Sequence, residues 1–146
     1  STDGGYHFEP TGAILTDNSV LTAVGDKEGH VWAATGGSIM YTEDGGKNFT
    51  VLKTINAKAL GFGAPEKEGG YMTIYVMGND NVSGNDTPHG DGIYRSTDKG
   101  KTWVRLNDDN HLFGNLTYSI TGDSEVFGRV YFATNGRGIV MGDVAK

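Results

Sequence analysis

An ungapped internal repeat constrains this chain more than any other feature. Residues 37–52 (GSIMYTEDGGKNFTVL) align with residues 91–106 (DGIYRSTDKGKTWVRL) at an offset of 54 positions. Ile39/Ile93, Asp44/Asp98, Gly46/Gly100, Lys47/Lys101 and Leu52/Leu106 are identical, while Thr42/Ser96 and Phe49/Trp103 are chemically equivalent. A third, partial copy follows: VYFAT at 130–134 echoes VWAAT at 31–35, and IVM at 139–141 echoes IMY at 39–41. A fixed period of this length marks a chain built from one supersecondary unit that buries its apolar face by stacking on its neighbours.

The unit reads as short strands punctuated by turn residues. Strands are predicted near 20–24, 30–35, 38–42 and 48–53 in the first unit, and near 57–62, 71–77, 92–96 and 102–106 in the second. The third supplies 117–121, 129–134 and 138–142. No window carries helical periodicity, and 24 glycines in 146 residues argue against helix throughout. Four short strands per unit of about 50 residues is the pattern of a propeller blade. The fold class is therefore all-β, with blade-like units at 18–54, 55–107 and 115–143, and 1–17 as the end of a preceding blade or a connection.

Each full copy contains [Ser/Thr]-x-Asp-x-Gly-x-x-[Phe/Trp], the pattern of an Asp-box (BNR-type) turn between the third and fourth strands of a blade. Its chemistry is structural. Asp44 and Asp98, beside Thr42 and Ser96, can accept backbone N–H bonds within their own turns. Gly46 and Gly100 supply a positive φ, and Phe49 and Trp103 anchor the hairpin. The 146 residues hold about 2.7 units, whereas a propeller closes with roughly 4–8 blades. The chain is therefore expected to need the remainder of its own propeller chain, or another copy. Alone, it is expected to expose first-strand faces around 21–24 and 59–62.

Beyond these turns, LNDDNHLFG at 106–114 and TGDSEVFGRVYFATNGRGIVMGD at 121–143 resemble the carboxyl end of glycoside hydrolase family 74. Trp32 within HVWAATGGSIMYTEDGG, and AKALGFG at 57–63, also fit that pattern. The resemblance implies blades of a larger seven-bladed propeller, about two and a half of them here, in a secreted enzyme that cleaves β-1,4-glucan, xyloglucan above all. It also implies an inverting mechanism, in which one carboxylic acid protonates the leaving oxygen and one carboxylate activates water. No motif here matches the neighbourhood of either carboxylate in that family, so no catalytic residue is assigned.

Blade connectivity places 78–91, 107–115 and 135–137 on one face, opposite the Asp-box turns. Asn107, Asp108, Asp109, His111 and Arg137 offer amide, carboxylate, imidazole and guanidinium groups suited to a neutral glycan. His111 could equally order its loop, and Arg137 could bridge to a neighbouring blade. Asn-x-Ser/Thr sequons at Asn48, Asn81, Asn85 and Asn115 are candidate glycosylation sites, in keeping with secretion.

Composition closes off other classes. A formal net charge of −6 opposes binding to nucleic acid. No run of 18 apolar residues could cross a membrane as a helix. The absence of cysteine removes disulfides, thiol nucleophiles and zinc–thiolate sites. Asp80, Asp86, His89 and Asp91 crowd one Gly-rich loop without the spacing of a cation-binding loop, so neither metal nor cofactor is expected. Two alternatives share the scaffold: a non-catalytic glycan- or protein-binding propeller, and a sialidase-like enzyme. The second would need three converging arginines from among Arg95, Arg105, Arg129 and Arg137. Arg95 and Arg105 flank the second Asp-box in strands and are expected to point outward.

Overall fold

The structure is a computed structural model. It describes all residues except 2, 13, 14, 16, 17, 87, 88, 115, 145 and 146, and the side chains of 117 and 118 also lie outside the described set. Among the described residues the chain forms strands and no helix. The strands are β1 (Val20–Ala23), β2 (Val31–Ala34), β3 (Ile39–Thr42), β4 (Thr50–Leu52), β5 (Asn56–Gly63), β6 (Thr73–Asn79), β7 (Gly92–Ser96), β8 (Val104–Arg105), β9 (Leu116–Gly122), β10 (Val130–Thr134) and β11 (Gly138–Gly142). They make three antiparallel meanders, in the orders β1-β2-β3-β4, β5-β6-β7-β8 and β9-β10-β11. The repeat survives as register: Met40 pairs with Val51, and 54 positions on Tyr94 pairs with Arg105.

The middle sheet is covered on both faces, which explains why THR-ILE-TYR-VAL-MET at 73–77 is nearly continuous in apolar character rather than alternating. Ile74 and Val76 join Trp32, Ile39 and Phe62 in one core, while Tyr75 and Met77 join Ile120, Val130 and Phe132 in the other. A period of two thus splits one strand between two cores.

Two expectations need correction. The face at 59–62 is not exposed: Ala59, Leu60 and Phe62 are buried. β9 crosses β5 backbone to backbone, so that a Cβ on Gly61 would fall 2.2 Å from the Ile120 carbonyl oxygen. From sheet one, the Thr22 hydroxyl donates to the Leu60 carbonyl at 3.2 Å. At 21–24 the chain is mixed, with Leu21 57% exposed and Val24 buried. The second correction concerns β4 and β8, which span only three and two residues. The turn before each strand claims the backbone that the alternating pattern had assigned to it.

Candidate functional site

Both repeated turns are built around a carboxylate. Asp44 Oδ1 accepts the Thr42 hydroxyl at 2.8 Å and the N–H groups of Lys47 and Asn48 at 3.0 and 2.9 Å. Asp98 Oδ1 accepts the Ser96 hydroxyl at 2.8 Å and the N–H groups of Lys101 and Thr102 at 3.0 and 2.9 Å. The hydroxyls of Thr42 and Ser96 in turn accept the N–H groups of Gly46 and Gly100. Those glycines sit at φ of 93° and 74°, the left-handed region where a side chain is strained. Hydrogen bonds from Asn48, led by its backbone N–H, hold the Asp44 carboxyl well below the ordinary carboxylate range. For Asp98 desolvation is the largest influence and pushes upward, but the bonds from Thr102, Ser96 and Lys101 together outweigh it and lower the pKa.

The aromatic anchors differ in reach. Phe49 lies under its own turn near Gly46. Trp103 packs against the core shared by sheets one and two, and its indole N–H donates to Thr54 Oγ1 at 3.0 Å. Thr54 passes the contact on, donating to the Gly100 carbonyl at 2.7 Å. The second turn is thereby bonded to the segment that leaves sheet one.

In the loop between β8 and β9, the Asn107 side-chain oxygen accepts the Ile93 N–H at 2.8 Å, and its amide donates to the His111 carbonyl at 3.2 Å. Asp108 caps the loop by accepting the N–H groups of Asn110 and His111, both at 2.9 Å, with His111 Nδ1 2.6 Å from the same oxygen. That imidazole contact is the main reason the Asp108 carboxyl titrates low. Asp109 pairs with Arg105 Nη1 at 2.6 Å. Asp108, Asp109 and His111 are exposed.

The long loop between β6 and β7 ties itself together. Asp91 pairs with Lys58 and accepts the Asn79 amide, while Asp80 accepts the His89 N–H at 2.6 Å and lies 2.8 Å from His89 Nδ1. Its far end meets the β8–β9 loop: Gly90 and Asp91 share a cavity of about 280 Å³ with Asp109, Leu112 and Phe113. Its near end does not stay opposite the repeated turn, because Asp80 and residues 82–85 line a cavity with Lys101, Thr102 and Trp103. Among the described residues, no three His, Asp or Glu side chains gather closely enough to hold a metal ion.

Arg137 stands apart. Its N–H donates to Thr134 Oγ1 at 3.1 Å, but its side chain is exposed and forms no ion pair with the described residues. The inter-blade bridge considered for it is absent there. Of the sequon asparagines, Asn48 and Asn85 spend their side-chain amides on Asp44 and on the Asp80 carbonyl. Asn81 is exposed, and Asn115 lies outside the described residues.

Arg95 and Arg105 also depart from expectation. Arg95 sits over the Phe127 ring, 5.2 Å from its centroid, and the Arg105 side chain is only 11% exposed. Both line a cavity of about 350 Å³ between the second and third sheets, with Ile93, Phe113, Phe132 and Val140 among its walls. Arg105 occupies the register position of Val51, which is exposed in the first sheet, so the repeat itself gave no sign of its burial.

No protein-family model matches the chain, but individual relatives do. The xyloglucanase Xgh74A of Acetivibrio thermocellus is 48% identical over 151 residues, covering all of this chain. An oligoxyloglucan-reducing end-specific xyloglucanase of Emericella nidulans is 34% identical over 154 residues, again covering all of it. The crystal structure of the Niastella koreensis GH74 enzyme superposes on 84% of the chain with a TM-score of 0.70 and 39% identity. Over its whole length the chain is similar to part of enzymes of glycoside hydrolase family 74.

Its GH74 neighbours are β-propellers, and the three meandering sheets fit that architecture. The chain spans 17% of the length of the A. thermocellus relative, 19% of the E. nidulans one and 17% of the N. koreensis chain.

Proposed function

We propose that this chain is part of a longer, secreted glycoside hydrolase that cleaves β-1,4-glucosidic bonds of xyloglucan, and that it supplies scaffold and one wall of the substrate cleft. The observation that carries this reading is a match across the whole chain, at 48% identity, to a protein named as a xyloglucanase. The chemistry of the exposed loops supports a glycan-contacting role. Asp108, Asp109 and His111 are exposed on a loop that the Asn107 side chain fixes from beneath through the Ile93 N–H, and Arg137 offers a fourth exposed polar group on another loop. The Asn81 sequon, with its exposed side chain, is the best placed for glycosylation on secretion.

The same geometry argues that the reacting pair lies elsewhere in the longer protein. An inverting glycosidase needs a carboxylic acid kept protonated, and a carboxylate base about 6.5–9.5 Å from it across the bond. Asp108 titrates below the ordinary range because His111 bonds its charged form, the wrong direction for a general acid. Asp109 is held by Arg105. Asp44 and Asp98 are consumed by their turns.

The test incubates the 146-residue chain and the longer protein containing it with xyloglucan oligosaccharides and measures new reducing ends. Turnover is expected only from the longer protein, and Asp108→Asn within it should change KM more than kcat. Turnover by the chain alone that Asp108→Asn or Asp109→Asn abolishes would overturn this assignment.

A further inference from the structure

The second unit departs from the repeat at one connection. The loop between β6 and β7 runs over twelve residues, 80–91, where the corresponding turns of the other two sheets take four (35–38) and three (135–137). A blade needs no such length, and long loops on a compact scaffold usually serve binding. The first half of this loop is fixed by its own hydrogen bonds. The Val82 N–H and the Asn85 side-chain amide both donate to the Asp80 carbonyl, at 2.8 and 2.7 Å, and the Asn85 N–H donates to the Val82 carbonyl at 3.1 Å.

Folded in this way, residues 82–85 close one side of a cavity of about 420 Å³. The opposite side is built by Lys101 and Trp103 of the second repeated turn and by Lys53, which follows β4. Trp103 is held by the core behind it and by its N–H bond to Thr54, and it is only half-buried, so part of its ring is left to the cavity. Lys53 and Lys101 are exposed and form no ion pair with the described residues. Asp80, the one acidic residue among the described lining, is bonded to His89 and Tyr94. In a chain of formal charge −6, this cavity therefore sets a local surplus of positive charge beside an aromatic face.

We propose that this cavity binds a uronic-acid residue of an acidic polysaccharide, its carboxylate answered by Lys53 and Lys101 and one face of its ring laid on Trp103. Each half of the lining selects part of that ligand. A neutral sugar would stack on the indole but leave both ammonium groups without a counter-charge. A bare inorganic anion would meet the lysines but leave the indole uncovered. The exposed Ser83 hydroxyl, on the loop side, can exchange hydrogen bonds with the hydroxyls of the sugar. This binding is additional to the cleavage of β-1,4-glucan proposed above.

Electrophoresis of the longer protein containing the chain, through native gels that hold an embedded polymer, tests this. Polygalacturonate should retard it, and Lys53→Gln together with Lys101→Gln should weaken that retention by about tenfold or more, as expected for the loss of charge-assisted hydrogen bonds. Trp103→Phe, which matches Phe49 of the first turn, should weaken it by about threefold. The double lysine variant should melt at the wild-type temperature, because neither ammonium group is paired within the fold. Polyglutamate, a carboxylate polymer without sugar rings, should retard the protein far less, and migration through xyloglucan should not respond to the lysine substitutions. No retention by polygalacturonate, retention that survives the loss of both lysines or is indifferent to Trp103→Phe, and equal retention by polyglutamate would each overturn the inference. So would a lower melting temperature for the lysine variant, or a lysine effect in xyloglucan. Retention is read without turnover, so it succeeds or fails separately from the hydrolysis assay above.

Discussion

Asp98 concentrates in one side chain what holds the second turn. Its carboxylate accepts two backbone N–H groups and two hydroxyls, and its pKa is lowered in the folded state. A lowered folded-state pKa means that the contribution to stability is fully present above the ordinary carboxylate value, about 4, and fades as the pH falls through the folded one. Asp98→Ala should therefore cost about 1–2 kcal/mol near neutral pH, the worth of a few hydrogen bonds to a charged acceptor less their solvent replacements. The gap to wild type should narrow as the pH is lowered from about 6 to about 3. Thermal melts over that range check both statements. A gap that widens in acid would mean that the carboxylate is not what the turn uses.

At the scale of strands and sheets, much was legible because the signals were local. Turn residues bracket each strand, and the repeat fixes the hairpin register. What was not legible depends on neighbours in space. The short β4 and β8 follow from turn bonding that reaches one or two residues farther than alternation suggests. The inward Arg105 follows from the third sheet standing beside β7 and β8. The burial of β5 follows from β9, and here the glycines of AKALGFG have a physical meaning that composition hid. A methyl group on Gly61 meets backbone, not a flexible side chain, so the two strands must separate to admit it. Gly61→Ala is expected to cost about 1–3 kcal/mol, typical of overpacking. Gly25→Ala, with no heavy atom within 4 Å of its added methyl, should be nearly neutral. Equal melting temperatures for the two variants would show that the β5–β9 crossing is looser than it stands here.

At the scale of the whole molecule, the argument turns on which faces the three sheets leave to water. The middle sheet is satisfied, with cores on both sides. The outer two are not: Leu21 on β1, Val51 on β4, and Ile139 and Met141 on β11 all remain exposed. Exposed apolar strand faces beside unguarded edges associate in water, because pairing satisfies backbone N–H and C=O groups while removing apolar area. The isolated 146-residue chain should therefore self-associate at micromolar concentration, seen by light scattering coupled to size exclusion. The formal charge of −6 weakens but does not prevent this, since salt screens it within about 8–10 Å. Replacing Ile139 and Met141 with lysine puts charge on the edge where β11 carries none. The double variant should weaken association by about tenfold or more while keeping the β-sheet circular dichroism signal. A wild-type chain that runs as a stable monomer would show that these faces are not the ones that drive assembly.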